Sequence, residues 1–270
     1  MKPFEGDMSG NVAAFEQTVR STIELAETLG AAEWDLPTEC PGWTVRDQVA
    51  HIVGVERMIL GDPQEAHTLP AGLSHVRSDF GRILEIAVDA RRTRPPETVV
   101  AELRETLARR LTDLATIDPG RQVKAPDGRM GPYSRFMMFR AFDCWVHEQD
   151  IRRAAGRPGN LDAPAAERAR HIIDSGMSFV VAKRAGAGPG SSITFKVTGP
   201  PSFRSCVLVG DDGRARPVEP ESHPTVTLSM DWEGYVRLAA GRCDPADVDV
   251  SIDGDHDLAG RVLGNMAVTP

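Results

Sequence analysis

An aspartate and a histidine four residues apart, Asp143 and His147, lie in the segment Arg140-Ala141-Phe142-Asp143-Cys144-Trp145-Val146-His147-Glu148-Gln149-Asp150-Ile151-Arg152-Arg153. On a helix that spacing puts both side chains on one face, about one turn apart. A second histidine, His51, follows Pro37-Thr38-Glu39-Cys40-Pro41-Gly42-Trp43-Thr44-Val45-Arg46-Asp47-Gln48-Val49-Ala50, and its neighbours Val49, Ile52 and Val53 place it at the edge of an apolar face. If the two helices are neighbours, the three side chains converge inside a bundle. Two imidazoles and one carboxylate make a three-ligand site for Zn²⁺ or another divalent cation, with a fourth position open. The cation would balance an otherwise costly inward carboxylate. The same spacing also fits an Asp–His pair on a helix surface, contributing about 0.3 kcal/mol, and a histidine beside an apolar stripe can be a plain core residue. Spacing alone leaves these readings open.

The elements that must position these groups are legible from periodicity. Val12, Phe15, Val19, Ile23, Leu25 and Leu29 recur at helical steps, predicting a helix over 9–29. Thr44 is an N-cap for a second helix, with Asp47 three residues on as an imperfect capping box. Further helices are expected around 73–90, 96–117, 134–155 and 164–183, with Pro119-Gly120 and Pro126-Asp127-Gly128 as turns. Long helices on short or medium loops predict an antiparallel four-helix bundle. The stretch 185–192, with three glycines and a proline, cannot sustain a helix or central strand. It separates an expected bundle domain, 1–186, from an expected α+β domain, 191–270. In the latter, period-two strands are predicted at 193–198, 206–209, 225–229 and 248–252, with helices at 231–241 and 257–265.

Composition narrows the partners. The 270 residues include 41% hydrophobic and 26% charged, the balance of a globular chain rather than a disordered one. A net charge of −8 does not favour nucleic acid. The apolar runs fall short of the ~18 residues needed to span a bilayer, so no membrane partner is expected. No secretory leader is evident in Met1-Lys2-Pro3-Phe4-Glu5-Gly6-Asp7, and a cytoplasmic chain is expected. Cys40, Cys144, Cys206 and Cys243 form no CxxC pair, so they are expected as reduced thiols, with Cys144 serving packing. His67, His75, His171 and His223 have no partner pattern and are expected on the surface.

The lead-in Cys40-Pro41-Gly42-Trp43-Thr44-Val45-Arg46-Asp47 with His51 after it, and the helix carrying Asp143, Trp145, His147, Glu148, Asp150 and Ile151, resemble the mycothiol-dependent maleylpyruvate isomerase family. Gly234-Tyr235-Val236-Arg237-Leu238-Ala239-Ala240-Gly241-Arg242 and the acidic strand after it are similar to the family's C-terminal domain. The resemblance implies a DinB-like metal-binding helical bundle followed by a sterol-carrier-like α+β domain. It implies zinc held by His51, Asp143 and His147, and mycothiol as the low-molecular-weight thiol cosubstrate. One departure stands out: the isomerase itself has a glutamate where this chain has Asp143, one methylene shorter, so substrate positioning need not be preserved. The family's C-terminal arginine, thought to clamp a carboxylate, corresponds best to Arg242, with Arg237 as the other candidate. Trp43 and Trp145 are expected to pack the bundle or wall the cofactor pocket.

An open divalent cation has two uses, to hold a thiol as thiolate or to lower the pKa of bound water. The expectation is therefore an enzyme, a thiol-using transferase or isomerase acting on a small electrophilic substrate. In an isomerase, thiolate addition to an activated alkene gives a rotatable single bond and elimination restores the double bond. The alternatives are a zinc hydrolase on the same bundle and a non-catalytic protein holding a lipid or other small ligand. A homodimer is compatible with all of them.

Overall fold

In the computed structural model, which describes residues 4–220 and 222–269, the apolar helical repeats become α1 (Met8–Glu27), α2 (Val45–Ile59), α3 (Asp79–Asp89), α4 (Pro96–Leu114) and α5 (Tyr133–Ala154). Several of these starts have a local cause. Asp7 Oδ1 accepts from Gly10 N at the head of α1, at 2.9 Å. At α2 the Asp47 carboxylate reaches back to Thr44 N at 2.9 Å, one of the helix-start donors that otherwise lack a partner. Proline opens α4, where its missing N–H costs nothing.

The four long helices form a ring: α1 packs against α4 and α5, and α2 packs against the same two. Phe15, Val19, Val49, Ile52, Val53, Leu103 and Ala141 are buried between them. The shorter α3 lies on α2. It starts later than the expected 73, because Ser78 caps it, its Oγ accepting from Gly81 N at 3.0 Å. Between α4 and α5 the first expected turn leads into a small antiparallel hairpin, β1 (Gln122–Lys124) and β2 (Met130–Pro132), with Val123 opposite Gly131, and the second forms its loop. Three-residue strands are too short to show a period in sequence.

The chain divides into two compact units between Arg168 and Ala169, inside α6 (Pro164–Phe179), whereas the sequence placed the boundary at 186–191. A π-helical turn, Val180–Arg184, continues α6. The second unit is built on β3 (Ser192–Thr198), β4 (Phe203–Val209), β5 (Ala215–Val218), β6 (Val226–Asp231) and β7 (Ser251–Gly254), in the order β5-β4-β3-β6-β7. β3 and β6 are parallel and the other pairs antiparallel. In register, Ile193, Phe195 and Val197 lie beside Val226, Leu228 and Met230, and all six are buried. This is the core that the period-two pattern announced. α7 (Trp232–Ala239) starts on the Asp231 cap, and α8 (His256–Leu263) on the Asp255 cap. Strand β5 was not expected, and β7 begins at Ser251 because Pro245–Asp247 forms a 3₁₀ turn before it. Among the described residues no helix is long and apolar enough to cross a membrane.

Candidate metal centre

α2 carries His51 and α5 carries Asp143 and His147, and their packing brings one ligand atom from each residue within 4.8 Å of the others. His51 Nε2 is 3.4 Å from Asp143 Oδ2, and His147 Nε2 is 3.6 Å from Asp143 Oδ1. The imidazole centroids are 4.4 Å apart. Both histidines are buried, and the Asp143 side chain is 33% exposed, so the cluster is reached by way of the carboxylate.

His147 is oriented by a chain of hydrogen bonds with one consistent direction. Thr38 Oγ1 donates to Trp43 O at 2.8 Å, which spends its proton. It therefore accepts from Gln48 Nε2 at 2.7 Å, and that turns the Gln48 amide oxygen to His147 Nδ1 at 2.5 Å. An amide oxygen only accepts, so Nδ1 carries a proton, and Nε2 is the nitrogen that faces Asp143. Asp150, held by Arg153 at 2.6 Å, adds a carboxylate 3.6 Å from the same Nδ1.

His51 is different. Both of its ring nitrogens are buried and neither has a hydrogen-bond partner. Burial and the nearby His147 push its pKa down to about 4, against the pull of Asp143. The ring is neutral at pH 7, the form that binds a metal. Burial also pulls on His147, but Asp143 and then Asp150 outweigh it and raise its pKa. Burial would push the Asp143 carboxyl up, yet Arg140 and His147 hold it well below the usual carboxylate range. Arg140 Nη1 donates to Asp143 Oδ2 at 2.8 Å and its Nε to Glu56 Oε1 at 2.8 Å, while Arg110 Nε donates to Glu56 Oε2 at 2.7 Å. Two imidazole nitrogens and a carboxylate, with one imidazole left without a hydrogen bond by the chain, fit a divalent cation.

The Trp43 indole covers the imidazoles from one side, its centroid 4.9 Å from that of His51 and 5.8 Å from that of His147.

Two family models match most of the chain. The mycothiol maleylpyruvate isomerase N-terminal domain matches residues 15–152, and the C-terminal domain of the same family matches residues 167–261. The chain belongs to the mycothiol maleylpyruvate isomerase family. Its fold agrees: crystal structures of the mycothiol-dependent maleylpyruvate isomerase, and of a histidine-to-alanine mutant of it, each superpose with a TM-score of 0.56 at 18% identity, covering 90% of this chain and 92% of that one. Uncharacterized proteins from two strains of Mycobacterium tuberculosis are each 27% identical over 158 residues, 57% of this chain. The match spans 58% of the length of these relatives.

The other residues singled out from this family's pattern fall in several places. Trp145 lies two residues from both Asp143 and His147 and so on the far side of α5 from them. It is fully buried, with Nε1 donating to Asn160 O at 2.8 Å, so of the two tryptophans it is Trp43 that lies against the imidazoles. Arg237 and Arg242 belong to the second unit. Arg237, in α7, donates to Asp247 O at 3.3 Å, and Arg242, just beyond α7, donates to Ala240 O at 2.9 Å. Cys144 is buried beside Arg140, and burial pushes its thiol well up, as suits a packing residue. His75 and His171 depart from the surface expectation: both are half-buried, and His75 lies 3.1 Å from Glu85. Sequence reading missed Gln48, Arg140 and Glu85 as partners of the cluster. Gln48 had a readable signal, a polar residue one turn before His51 on the inward face of α2.

Proposed function

We propose that this member of the family is a mycothiol-using isomerase or S-transferase acting on a small electrophile, with a divalent cation, zinc foremost, held by His51, Asp143 and His147. The observation that carries the reading is the His51 imidazole, buried with neither nitrogen hydrogen-bonded and Nε2 turned to Asp143 at 3.4 Å. An unsatisfied buried polar group costs about 1–3 kcal/mol, and ligation would offset it. When bound, such a cation supplies a position at which a thiol is deprotonated at neutral pH.

The chain's own residues prepare that position. Gln48 fixes the tautomer of His147, and Arg140 keeps Asp143 ionised and aimed. Trp43 shields the imidazoles from water. Asp143, the exposed member, marks the side from which thiol and electrophile arrive. Arg242, with Arg237 second, is proposed as the group that pairs with a carboxylate of substrate or thiol, since a guanidinium binds carboxylates bidentately.

The test is turnover of a panel of electrophiles, unsaturated acids included, by the zinc-loaded full chain. Turnover should require mycothiol and vanish in His147→Ala, and Arg242→Ala should raise KM for a carboxylated substrate without lowering metal content. Turnover of esters or amides with no thiol present would overturn the thiol reading in favour of hydrolysis.

A further inference from the structure

Trp43 is held from a direction that the three candidate ligands do not supply. Its indole Nε1 donates to Glu85 Oε2 at 2.9 Å. Glu85 comes from α3 and is 1% exposed. Its other oxygen accepts from Arg92 Nη2 at 2.8 Å, and His75 Nε2 lies 3.1 Å from the first. Arg92 also grips Asp47, the residue that reaches back to Thr44 N at the head of α2, at 3.0 Å. His75 closes on the chain just before the indole: at Gly42, φ +78°, an added Cβ would sit 2.4 Å from His75 Nδ1.

A buried carboxylate is costly unless every oxygen is partnered, and a packing contact beneath a tryptophan would be met more cheaply by leucine. Here one carboxylate ties the indole N–H to the arginine that braces the start of α2. The indole can then neither slide along nor tilt away from the two imidazoles. We propose that Glu85 is a positioning residue that fixes Trp43 as the wall over His51 and His147, so that approach to the cluster is confined to the Asp143 side. The inference builds on the reading of this cluster as the functional site, and it gives α3, otherwise an appendage to the four-helix ring, a role in that site.

The test separates this claim from the cation reading. In metal-free full-length protein, the imidazole C–H signals of His51 and His147 carry the ring-current shift of Trp43 and are followed by NMR. Glu85→Ala should move them towards their unstacked positions and release the indole N–H to faster exchange with water. Glu85→Gln, which keeps an acceptor, should move them less. Trp43→Phe removes the N–H but keeps a ring, and Glu85→Ala added to it should change the imidazole signals little further, because coupled residues are non-additive.

In zinc-loaded protein, Glu85→Ala should raise KM for mycothiol about tenfold with zinc stoichiometry unchanged, and the same substitution in the Trp43→Phe background should change KM by less than about twofold. Imidazole signals unmoved in both Glu85→Ala and Glu85→Gln, or effects that add fully in the double variant, would overturn the proposal. Failure of the wild-type chain to bind zinc would instead strike the cation reading, and the metal-free signals would still decide the role of Glu85. Should Glu85→Ala not fold, the graded shift in Glu85→Gln carries the decision.

Discussion

Two polar regions of the bundle look alike in composition and differ in how they are completed. Around Glu102, the guanidinium of Arg91 pairs with Glu102 at 2.6 Å and Glu65 at 2.8 Å. Arg94 pairs with Glu102 at 3.1 Å, Arg57 bonds both Glu102 and Asp62, and Arg109 pairs with Asp62 at 2.6 Å. Every one of these cations faces carboxylates, and the chain supplies both sides. Around Asp143 the account does not close. His51 is buried with neither ring nitrogen hydrogen-bonded, and one carboxylate is shared among two imidazoles and Arg140. Density of charge therefore does not mark a site. What sets the Asp143 region apart is a buried imidazole with neither nitrogen hydrogen-bonded, gathered with a second imidazole and a carboxylate whose ligand atoms lie within 4.8 Å of one another.

The largest effect is expected at Glu102. Glu102→Ala leaves the buried Arg91 with a single carboxylate partner, Glu65, and should cost about 3 kcal/mol in urea unfolding, while zinc content stays as in wild type. A drop in zinc content would mean that the two regions are not independent.

At His51 the expected effect is smaller and of another kind. His51→Leu removes a buried imidazole that has no hydrogen bond to lose, so metal-free stability should change by less than about 1 kcal/mol. Zinc at a hundredfold excess over Kd should stabilise wild type by about 2.7 kcal/mol and leave the melting curve of the variant unmoved. A large destabilisation of the metal-free variant would show that His51 is satisfied within the fold after all.

The smallest effect is at Asp62. Arg109 and then Arg57 hold its carboxyl down at about 2 against the opposing effect of burial. A carboxyl depressed on folding stabilises above its unfolded pKa, and that contribution is lost as pH falls towards the folded one. Asp62→Asn should therefore cost about 1 kcal/mol at neutral pH, since the pair is partly screened by solvent. Its difference from wild type should shrink as pH drops from about 4 towards 2. A constant difference across that window would show that the pairing contributes nothing.

How far the sequence could be read follows from what each feature depends on. The start of α2 is written locally, in Thr44 and Asp47, and the Asp143–His147 spacing is a property of one helix. The buried faces of β3 and β6 follow from alternation alone. The Gln48–His147 bond joins residues 99 apart in sequence, and Glu85 meets Trp43 across 42 residues. No local period encodes either contact; each exists only once α3 and α5 dock on α2. β1 and β2 escaped notice because three residues cannot display alternation. Trp145 was expected to pack the bundle or wall the pocket, and an offset of two residues on a helix turns it to the far side, where it is fully buried. The domain boundary was placed at the glycines because chain flexibility concentrates there, while compactness divides the molecule inside α6.

The central claim is that His51, Asp143 and His147 hold one cation, and elemental analysis of the purified full chain after zinc loading and dialysis tests it most directly. About one zinc ion per chain is expected in wild type and none in His51→Ala or His147→Ala. Zinc retained in both variants, or absent from the loaded wild type, would contradict it.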